Sequence, residues 1–498
     1  MDRRTFMGTF AATAATISIV PRHVLGGPGN VPPSDKITVA NIGCGTQGLR
    51  ELPDMLENPD LQLVAVCDAN KLTTNYLDWS PNGLRDGIRE LLQDPEWGAQ
   101  YDGIPGGREI GKEVVEKYYA LNKPSGKYKG CKAYEDYREL LEKEKDLDAI
   151  KIMTPDHHHA WLSLAAMKKG KHVITHKPIA NRMSEGKKII GYAKTAGVKT
   201  HLLAWSEKPE YDMILQWIND GAIGHLNEIH NWSYRPVWQQ WFTRPQGTPP
   251  IPKGFNWELW LGPVPDMPYH PHYTHNVFRG WYDFGGGSIA DMGHYSLFPL
   301  FLAFGIDTPP VSAKACGTTH CTIDGNTMVS LKNDVAFPLS CMVQFCFPAQ
   351  KSLPAFDLFW YDGGMKPFIP DELKEDNRDI PDEGLMFVGD KGKILAGFQG
   401  QNPQIIPAKR MEVYTGEKVV PERQRSRRSD TWASAIKNDQ ESPGSFIYAG
   451  PITETINLAA VALRAGGKVD YDTVNMTITN NEAANLYMTR EYRKGWEI

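Results

Sequence analysis

Short apolar runs of β type alternate with longer segments of helical periodicity between residues 36 and 206. Period-two or continuous apolar runs are typical of strands, and apolar positions three or four apart are typical of helices. The pattern predicts strands at 37–42, 62–67, 148–153, 171–174 and 199–204. It predicts helices at about 47–57, 107–121, 134–144, 157–169 and 184–196. Regular alternation of this kind predicts an α/β domain with a parallel sheet and helices on both faces.

The pattern changes after about residue 207, where strand-like segments follow one another without regular helices between them. They are predicted at 225–235, 311–321, 326–333, 338–348, 355–361 and 384–397, with helices at 451–465 and 480–491. Successive strands predict a large, mostly antiparallel sheet with one face packed and one face open. We therefore expect a first domain over 36–206 and a C-terminal α/β domain over 207–498. The sequence assigns no role to an insertion at 78–130.

A glycine-rich turn directly follows the first predicted strand. It reads Gly43-x-Gly45-x-x-Gly48, and the second strand ends at Asp68, twenty residues after the last glycine. This order is typical of a Rossmann βαβ unit, whose glycines allow a tight turn and a close approach of the dinucleotide pyrophosphate. Asp68 is expected to bond a ribose 2′-hydroxyl, which favours NAD over NADP because a carboxylate repels a 2′-phosphate. The other loop residues expected at the cofactor are Thr46 and Gln47.

Two further segments with reactive side chains follow later strands of the first domain. Ligands of open α/β sheets bind at the carboxyl ends of the strands, so both segments should face the cofactor. The first, 154–159, ends in three consecutive histidines. Adjacent residues on a helix point in different directions, so we expect one histidine at the cofactor, the others solvated, and no metal. The second is His176-Lys177-Pro178, where a partly desolvated lysine could exchange protons; a surface lysine in a turn is the alternative.

A third candidate segment lies in the C-terminal half of the chain. Three glycines at 285–287 precede Asp291 and His294, whose three-residue spacing puts them on one face of a predicted helix. A carboxylate beside an imidazole suits proton handling, and a capping aspartate with a structural histidine is the alternative. Eight of the fourteen tryptophans lie between Trp205 and Trp281. Their rings suit sugar stacking, an oligomer interface or a plain core, and these three interpretations stay open.

The N-terminus and the composition narrow the location and the partners. Arg3 and Arg4 precede a short apolar stretch, as in a twin-arginine export signal, so residues 1–30 are predicted to be signal and linker. An accidental arginine pair is the alternative. The stretch is too short for stable membrane insertion. A net charge of −5 without a basic block argues against nucleic acid as a partner. Cys44 and Cys67 are expected to be small buried residues, and the other cysteine spacings do not indicate a metal.

Taken in order, these motifs resemble those of the Gfo/Idh/MocA oxidoreductases. The order is GxGxxG, the aspartate of the second strand, TPxxxH, GKHVxxxKP and GGGxxxDMGH, covering nearly all of 36–310 and continuing at 384–394. The resemblance implies NAD(P)-dependent chemistry on a sugar or cyclitol, and a C-terminal domain whose open sheet mediates oligomerisation. It also implies roles for particular residues. Lys177 matches the catalytic lysine, Asp291 and His294 match the catalytic Asp/His pair, and Thr154, Pro155 and His159 match residues that line the nicotinamide.

Two positions depart from the family's pattern. His176 stands where the family has a glutamate that holds the nicotinamide ribose, so we expect His176 at the cofactor. The family's histidine comes four residues after the aspartate, a position held here by Tyr295, while His294 comes one residue earlier. The shorter spacing resembles that of exported NAD-dependent glycosidases of the same fold, which hold NAD tightly and regenerate it in every turnover. Asp291 fits the dehydrogenases better.

The sequence therefore predicts an exported, periplasmic oxidoreductase that transfers hydride to or from a hydroxyl of a sugar or sugar derivative. Lys177, Asp291 and His294 are its predicted catalytic residues, and no metal is expected. NAD is expected to be tightly bound because the periplasm supplies no free pool. A small carbohydrate and further copies of the chain are the expected partners. Two alternatives stay open: a redox-neutral glycosidase or lyase acting through a transient 3-keto sugar, and a sugar-binding module on a degenerate dehydrogenase fold.

Overall fold

The computed structural model describes residues 35–498 except 122, 124, 332, 417 and 421–426. The predicted export signal and linker at 1–30 lie outside the described residues. Two sheets organise the rest, one in each half of the chain. Within the described residues, no helix has both the length and the apolar character needed to cross a membrane.

The first sheet has six parallel strands in the order β5-β2-β1-β6-β7-β8, which is the order of a Rossmann domain. All five strands that the sequence predicts in this region are present, and the three-residue β5 was missed. A separate two-stranded hairpin, β3–β4, lies in the insertion after Asp68. The strands are β1 (Ile37–Ile42), β2 (Leu61–Cys67), β3 (Thr73–Tyr76), β4 (Ile104–Gly106), β5 (Lys132–Tyr134), β6 (Ala149–Ile152), β7 (His172–Thr175) and β8 (Thr200–Leu202).

Helices cover both faces of this sheet, as the alternating pattern predicts. They are α1 (Thr46–Arg50), α2 (Leu52–Leu56), α3 (Gly83–Leu92), α4 (Arg108–Leu121), α5 (Tyr137–Lys143), α6 (His159–Lys168) and α7 (Met183–Ala193). The single helix predicted at 47–57 is divided at Glu51. The division has a local cause, because Pro53 has no N–H to donate to the carbonyl of Leu49. Cys44 and Cys67 are buried, as expected.

The second sheet has nine strands in the order β17-β16-β15-β9-β14-β13-β10-β18-β19. Its pairs are antiparallel except β9 with β14, so the sheet is mixed, with a mostly antiparallel ladder. A two-stranded hairpin, β11–β12, is separate. The strands are β9 (Leu226–Trp232), β10 (Ser312–Gly317), β11 (His320–Asp324), β12 (Thr327–Leu331), β13 (Cys341–Phe347), β14 (Phe356–Tyr361), β15 (Gly384–Gly389), β16 (Lys393–Ala396), β17 (Gln404–Ile406), β18 (Lys468–Asp472) and β19 (Thr477–Ile478).

Helices are also present in the second half of the chain. They are α8 (Pro209–Asn219), α9 (Trp257–Leu261), α10 (His294–Phe304), α11 (Asp371–Glu375), α12 (Ala408–Val413), α13 (Arg428–Lys437) and α14 (Gly450–Ala465). The helix predicted at 480–491 is a 3₁₀ segment, Glu482–Met488. The strand predicted at 384–397 is a hairpin, β15–β16, because the turn Gly389-Asp-Lys-Gly392 interrupts it.

Helix α13 returns to the first domain although it comes late in the chain. Trp432 and Ala433 are fully buried in the same apolar cluster as Val39, Leu52 and Leu203. The amide N–H of Ser429 donates to a carboxylate oxygen of Asp54, which belongs to α2. The predicted division at 206/207 places α13 wholly in the second domain, whereas the structure packs it on the first. No local signal reveals this, because the apolar residues of α13 would suit either core.

Candidate functional site

A deep cleft lies at the carboxyl ends of β1, β2, β6 and β7, where the parallel sheet is expected to bind its ligand. The space between its walls, including the part open to solvent, is about 1100 Å³, and the segment 255–279 of the second half forms its far side. Nine of the ten predicted cofactor residues line it: Gly43, Gly45, Thr46, Gln47, Gly48, Asp68, Thr154, Pro155 and His176. The structure therefore brings nine of the predicted cofactor residues together around one cleft.

The glycine loop has a backbone that only glycine fits. Gly43 has a φ of +100°, and a Cβ on it would lie 2.5 Å from the carbonyl carbon of Met153. A Cβ on Gly48 would collide with the carbonyl oxygen of Gly43. The loop lies close against the end of β6 and presents its backbone, without side chains, to the cleft. A pyrophosphate could approach such a backbone closely.

Asp68 supports the loop as well as lining the cleft. One carboxylate oxygen accepts the N–H of Cys44 at 2.6 Å, and the other accepts the N–H of Asn70 at 2.7 Å. Burial raises the pKa of this carboxyl, and the two backbone N–H groups oppose the rise. The carboxylate thus fixes the conformation of the turn that would bind the cofactor.

The three consecutive histidines are all buried, so the expectation that two of them are solvated was wrong. His158 is the one that lines the cleft, and its Nε2 lies 2.7 Å from the carbonyl oxygen of Trp260. His159, predicted at the cofactor, does not line the cleft. Its two ring nitrogens lie 2.6 Å and 2.8 Å from the carbonyl oxygens of Pro178 and Thr154, and its single N–H donates to one of them.

Lys177 forms a buried ion pair with Asp291. Its Nζ lies 2.5 Å from Oδ1 of Asp291, and the lysine side chain is 2% exposed. The two residues come from different halves of the chain, Lys177 after β7 and Asp291 before α10. Burial alone would raise the pKa of Asp291, but the charges of Lys177 and Arg279 outweigh it and lower the pKa below its ordinary value. Asp291 is therefore ionised at neutral pH.

Arg279 is a site residue that the sequence analysis missed. It lines the cleft, and its Nε lies 3.2 Å from the same Oδ1 of Asp291 that Lys177 contacts. Lys177 and Asp291 do not line the cleft themselves. Asp291 contacts Arg279, and Lys177 follows His176 in the chain; Arg279 and His176 both line the cleft. Arg279 lies in a 3₁₀ segment, His275–Gly280, outside any strand end or glycine motif. Only its position six residues before Gly285 could have suggested it.

His294 is not placed as predicted. It is fully buried, its Nδ1 lies 2.9 Å from the carbonyl oxygen of Ala290, and within the described residues its ring forms no hydrogen bond with Asp291. Tyr295 takes the expected place instead: its ring lies 4.8 Å from Nζ of Lys177, and its hydroxyl lies 3.2 Å from Nε2 of His176. The cause is a π-helical turn at Ile289–Gly293. A π-turn is wider than an α-turn, so a residue four positions after Asp291 shares its face better than one three positions after.

His176 is neutral at the site. Burial lowers its pKa well below the ordinary value, and the nearby charges of Lys177 and Arg279 lower it further. A neutral imidazole can accept a hydrogen bond from the Tyr295 hydroxyl or donate one to it. The glutamate of the family pattern is thus replaced by a residue that reaches both the cleft and Tyr295.

The insertion after Asp68 closes over the cleft and contacts the second half of the chain. The N–H of Lys71 donates to the carbonyl of Gly254 at 2.7 Å, and the N–H of Asn256 donates to the carbonyl of Ala69 at 2.9 Å. The rings of Tyr76 and His275 meet with centroids 4.3 Å apart. These contacts form a clasp, which we define as residues 69–77 together with 254–256 and His275.

Most of the clustered tryptophans are core residues. Six of the eight are buried: Trp217, Trp232, Trp238, Trp257, Trp260 and Trp281. Trp257, Trp260 and Trp281 share one aromatic cluster with Tyr269 and Tyr273. Of the three interpretations, the plain core describes this cluster, and Trp260 also lines the cleft.

Two family models match the chain in the order of the two sheets. The NAD-binding Rossmann fold of an oxidoreductase family matches residues 112–203. The C-terminal alpha/beta domain of the same family matches residues 214–322. Both models describe domains of the Gfo/Idh/MocA oxidoreductases, the family that the motifs of the chain resemble.

Individual relatives are similar over limited lengths. Levoglucosan dehydrogenase of Pseudarthrobacter phenanthrenivorans is 30% identical over 108 residues, 20% of this chain and 27% of that protein. A glycosyl hydrolase family 109 protein of Shewanella pealeana is 23% identical over 244 residues, 45% of this chain and 44% of that protein. The chain thus spans less than half the length of either relative. The WlbA dehydrogenase of Bordetella pertussis, solved with NADH and UDP-GlcNAcA, shares the fold, with a TM-score of 0.50, 14% identity, and coverage of 88% of this chain and 99% of that one.

The buried histidines predict a loss of stability in mild acid. Burial lowers the pKa of His158, His201 and His294 to about 3 and that of His275 to about 4. These groups are neutral when folded and bind protons when unfolded below about pH 6.5. The stabilisation is therefore fully present above that pH and is lost as the pH falls from 6.5 towards 3. Each histidine contributes at most about 1.4 kcal/mol per pH unit.

Urea denaturation at a series of pH values measures this effect. The free energy of unfolding should be nearly constant above about pH 7 and should fall steadily below about pH 6.5. His201→Asn should reduce the slope, whereas His225→Asn should not, because the His225 side chain is 83% exposed. A free energy that stays flat down to pH 5 would contradict the burial of these rings.

Proposed function

We propose that this protein is an NAD-dependent oxidoreductase that transfers hydride to or from a hydroxyl of a sugar or sugar derivative. The observation that carries the proposal is the buried Lys177–Asp291 ion pair, which adjoins the cleft made by the glycine loop. The similarity to a levoglucosan dehydrogenase supports it. The ion pair also argues against a binding module without activity. Burying two charges costs desolvation free energy, which a protein without a use for the pair would have no reason to bear.

The residues of the cleft fit NAD. Gly43, Gly45 and Gly48 leave the space that a pyrophosphate needs, and Asp68 presents a carboxylate suited to a ribose 2′-hydroxyl. His176 lines the cleft next to Lys177 in the chain and would adjoin the nicotinamide. Bound NAD would supply a hydride acceptor, and NADH a hydride donor.

The chain's own residues would handle the proton. In reduction the Lys177 ammonium would donate the proton, and in oxidation Nζ would take the hydroxyl proton after passing its own proton to the Tyr295–His176 pair. Asp291 stays ionised beside two cations and fixes the direction of the lysine side chain. The Tyr295 hydroxyl and the neutral His176 would form the path along which the proton leaves or arrives. In this arrangement His294 has a structural role.

Three extensions of the proposal rest on separate grounds. We propose that NAD is held tightly, because the clasp would have to open before a bound dinucleotide could leave. Export through the twin-arginine route rests on Arg3 and Arg4, and a homo-oligomer rests on the family resemblance alone.

A second candidate function is a redox-neutral glycosidase or lyase acting through a transient 3-keto sugar. The similarity to a glycosyl hydrolase family 109 protein favours it, as does a clasp that would retain a recycled cofactor. Incubating the protein, as purified, with glycosides and with free sugars separates the two functions. Glycoside cleavage without added NAD would establish the second candidate, and NADH formation in proportion to added NAD would establish the first.

Replacing Lys177 tests the proposed chemistry. Lys177→Met removes the titrating amine but keeps the bulk, so turnover should fall about 10²–10⁴-fold while the amount of bound NAD is unchanged. Lys171→Met, at the opposite end of the same strand region, is the matched control and should retain turnover. Full activity of Lys177→Met would exclude Lys177 as the acid–base group.

The π-turn predicts which aromatic residue acts with Lys177. Tyr295→Phe removes the hydroxyl that contacts His176, so turnover should fall at least about tenfold. His294→Asn should keep turnover within a few-fold, since His294 bonds only a backbone carbonyl among the described residues. Bound NAD, released by denaturation and assayed, should be equal in both variants. The opposite pattern would show that His294, and not Tyr295, faces the substrate.

Asp68 should set the choice of cofactor. Asp68→Asn removes the charge that a ribose hydroxyl and two backbone N–H groups share, so NAD binding should weaken by about 1.5–3 kcal/mol. The preference for NAD over NADP should narrow at the same time. Asp136→Asn is the control, because Asp136 also accepts a backbone N–H but lies outside the cleft. An unchanged NAD/NADP ratio, measured by equilibrium titration, would mean that Asp68 does not face the ribose.

A further inference from the structure

The charges around Asp291 do not balance. Lys177 Nζ and Arg279 Nε lie 2.5 Å and 3.2 Å from the same carboxylate oxygen. The side chains of Lys177, Arg279 and Asp291 are 2%, 11% and 15% exposed, so all three are largely removed from water. One carboxylate thus faces two cations, and this group of three carries one net positive charge.

The neighbouring charged residues do not neutralise the net positive charge around Asp291. Arg235 lies near enough for its charge to act on Asp291, and it forms no ion pair with any described residue. Asp156 is a second anion at the site, with Oδ2 accepting the N–H of Gly286 at 3.0 Å. Arg428, which faces Tyr295, has its own partner in Glu51 at 3.2 Å. Two carboxylates therefore oppose Lys177, Arg279 and Arg235.

Arg279 is the cation of this group that reaches the cleft. Its Nη1 donates to Oδ1 of Asn276 at 2.6 Å and its Nε faces Asp291. Within the part of the chain that the structure describes, its Nη2 donates no hydrogen bond. A guanidinium offers paired N–H groups in one plane, which match the oxygens of a carboxylate or a phosphate.

We propose that the sugar acted on at this site carries an acidic group, a carboxylate or a phosphate, and that Arg279 binds that group. A net positive charge held away from water is costly until an anion neutralises it, so the site selects an anionic substrate over a neutral one. The proposal rests on the proposed function only in assuming that a sugar enters this cleft. It makes Arg279 the residue that determines substrate specificity.

Binding measurements on the full-length protein test the proposal without requiring turnover. D-glucuronate, D-glucose 6-phosphate and D-glucose are titrated by calorimetry, with and without NADH. At least one acid should bind about tenfold or more tightly than glucose, and its affinity should fall as salt is raised. The stronger of the two acids identifies the group as carboxylate or phosphate.

Variants at Arg279 assign the effect to this residue. Arg279→Gln should abolish the preference for the acid, and Arg279→Lys should retain part of it because the charge remains. Arg244→Gln is the control. Arg244 also belongs to the second half of the chain, but its guanidinium pairs with Asp283 at 2.6 Å. It should bind the acids as the unmodified protein does.

The outcomes separate this proposal from the proposed function. Acids that bind no more tightly than glucose, or a preference that survives Arg279→Gln, would overturn the assignment while leaving NADH binding and hydride transfer untouched. A failure to bind NADH would count against the proposed function, whereas an Arg279-dependent acid preference without NADH would still support the acidic substrate. If the Arg279 variants do not fold, the ranking of the three probes on the unmodified protein decides.

Discussion

The structure of the site depends on the need to neutralise one buried carboxylate. Asp291 reaches the site from the second half of the chain, and Lys177 approaches it from the end of β7 in the first. A buried ion is stable only beside partners of opposite charge. If one partner is removed, the desolvation free energy of the remaining charge is no longer offset. The ion pair therefore fixes the relative position of the two sheets at the place where their loops meet. The cleft, the glycine loop and the closing segment are arranged around that fixed point.

A single irregular turn determines which side chains share that point. The π-turn before α10 rotates the helix relative to a regular α-helix, which brings Tyr295 beside Lys177 and turns His294 into the core. π-turns are rare and recur at functional sites, where they re-aim side chains without changing the length of the chain. The replacement of glutamate by His176 fits the same change, because a neutral imidazole can bond the Tyr295 hydroxyl.

Features that depend on residues close together in the chain could be predicted from the sequence. Features that depend on contacts between residues far apart in the chain could not. The glycine loop, Asp68 and the first-domain strands follow from short patterns, and Lys177 follows from a strand end. Arg279 and the return of α13 depend on contacts between residues far apart in the chain, which no periodicity records. His294 was misplaced for a different reason: a three-residue spacing implies one face only if the helix is regular. His159 was misplaced because a motif fixes the position of a residue and not the direction of its ring.

Helix α13 has a consequence for how the chain is made. The core of the first domain includes Trp432 and Ala433, so that core cannot be completed until most of the chain has left the ribosome. Domains generally fold as units during synthesis, starting from the N-terminus. Here the unit that would bind the dinucleotide lacks a large buried side chain until most of the second sheet has also been synthesised. The apolar surface that Trp432 will cover stays open throughout that interval. Maturation of the nucleotide-binding half is thereby tied to completion of the whole polypeptide, and a chain truncated before residue 428 would have neither a closed first core nor a complete second domain.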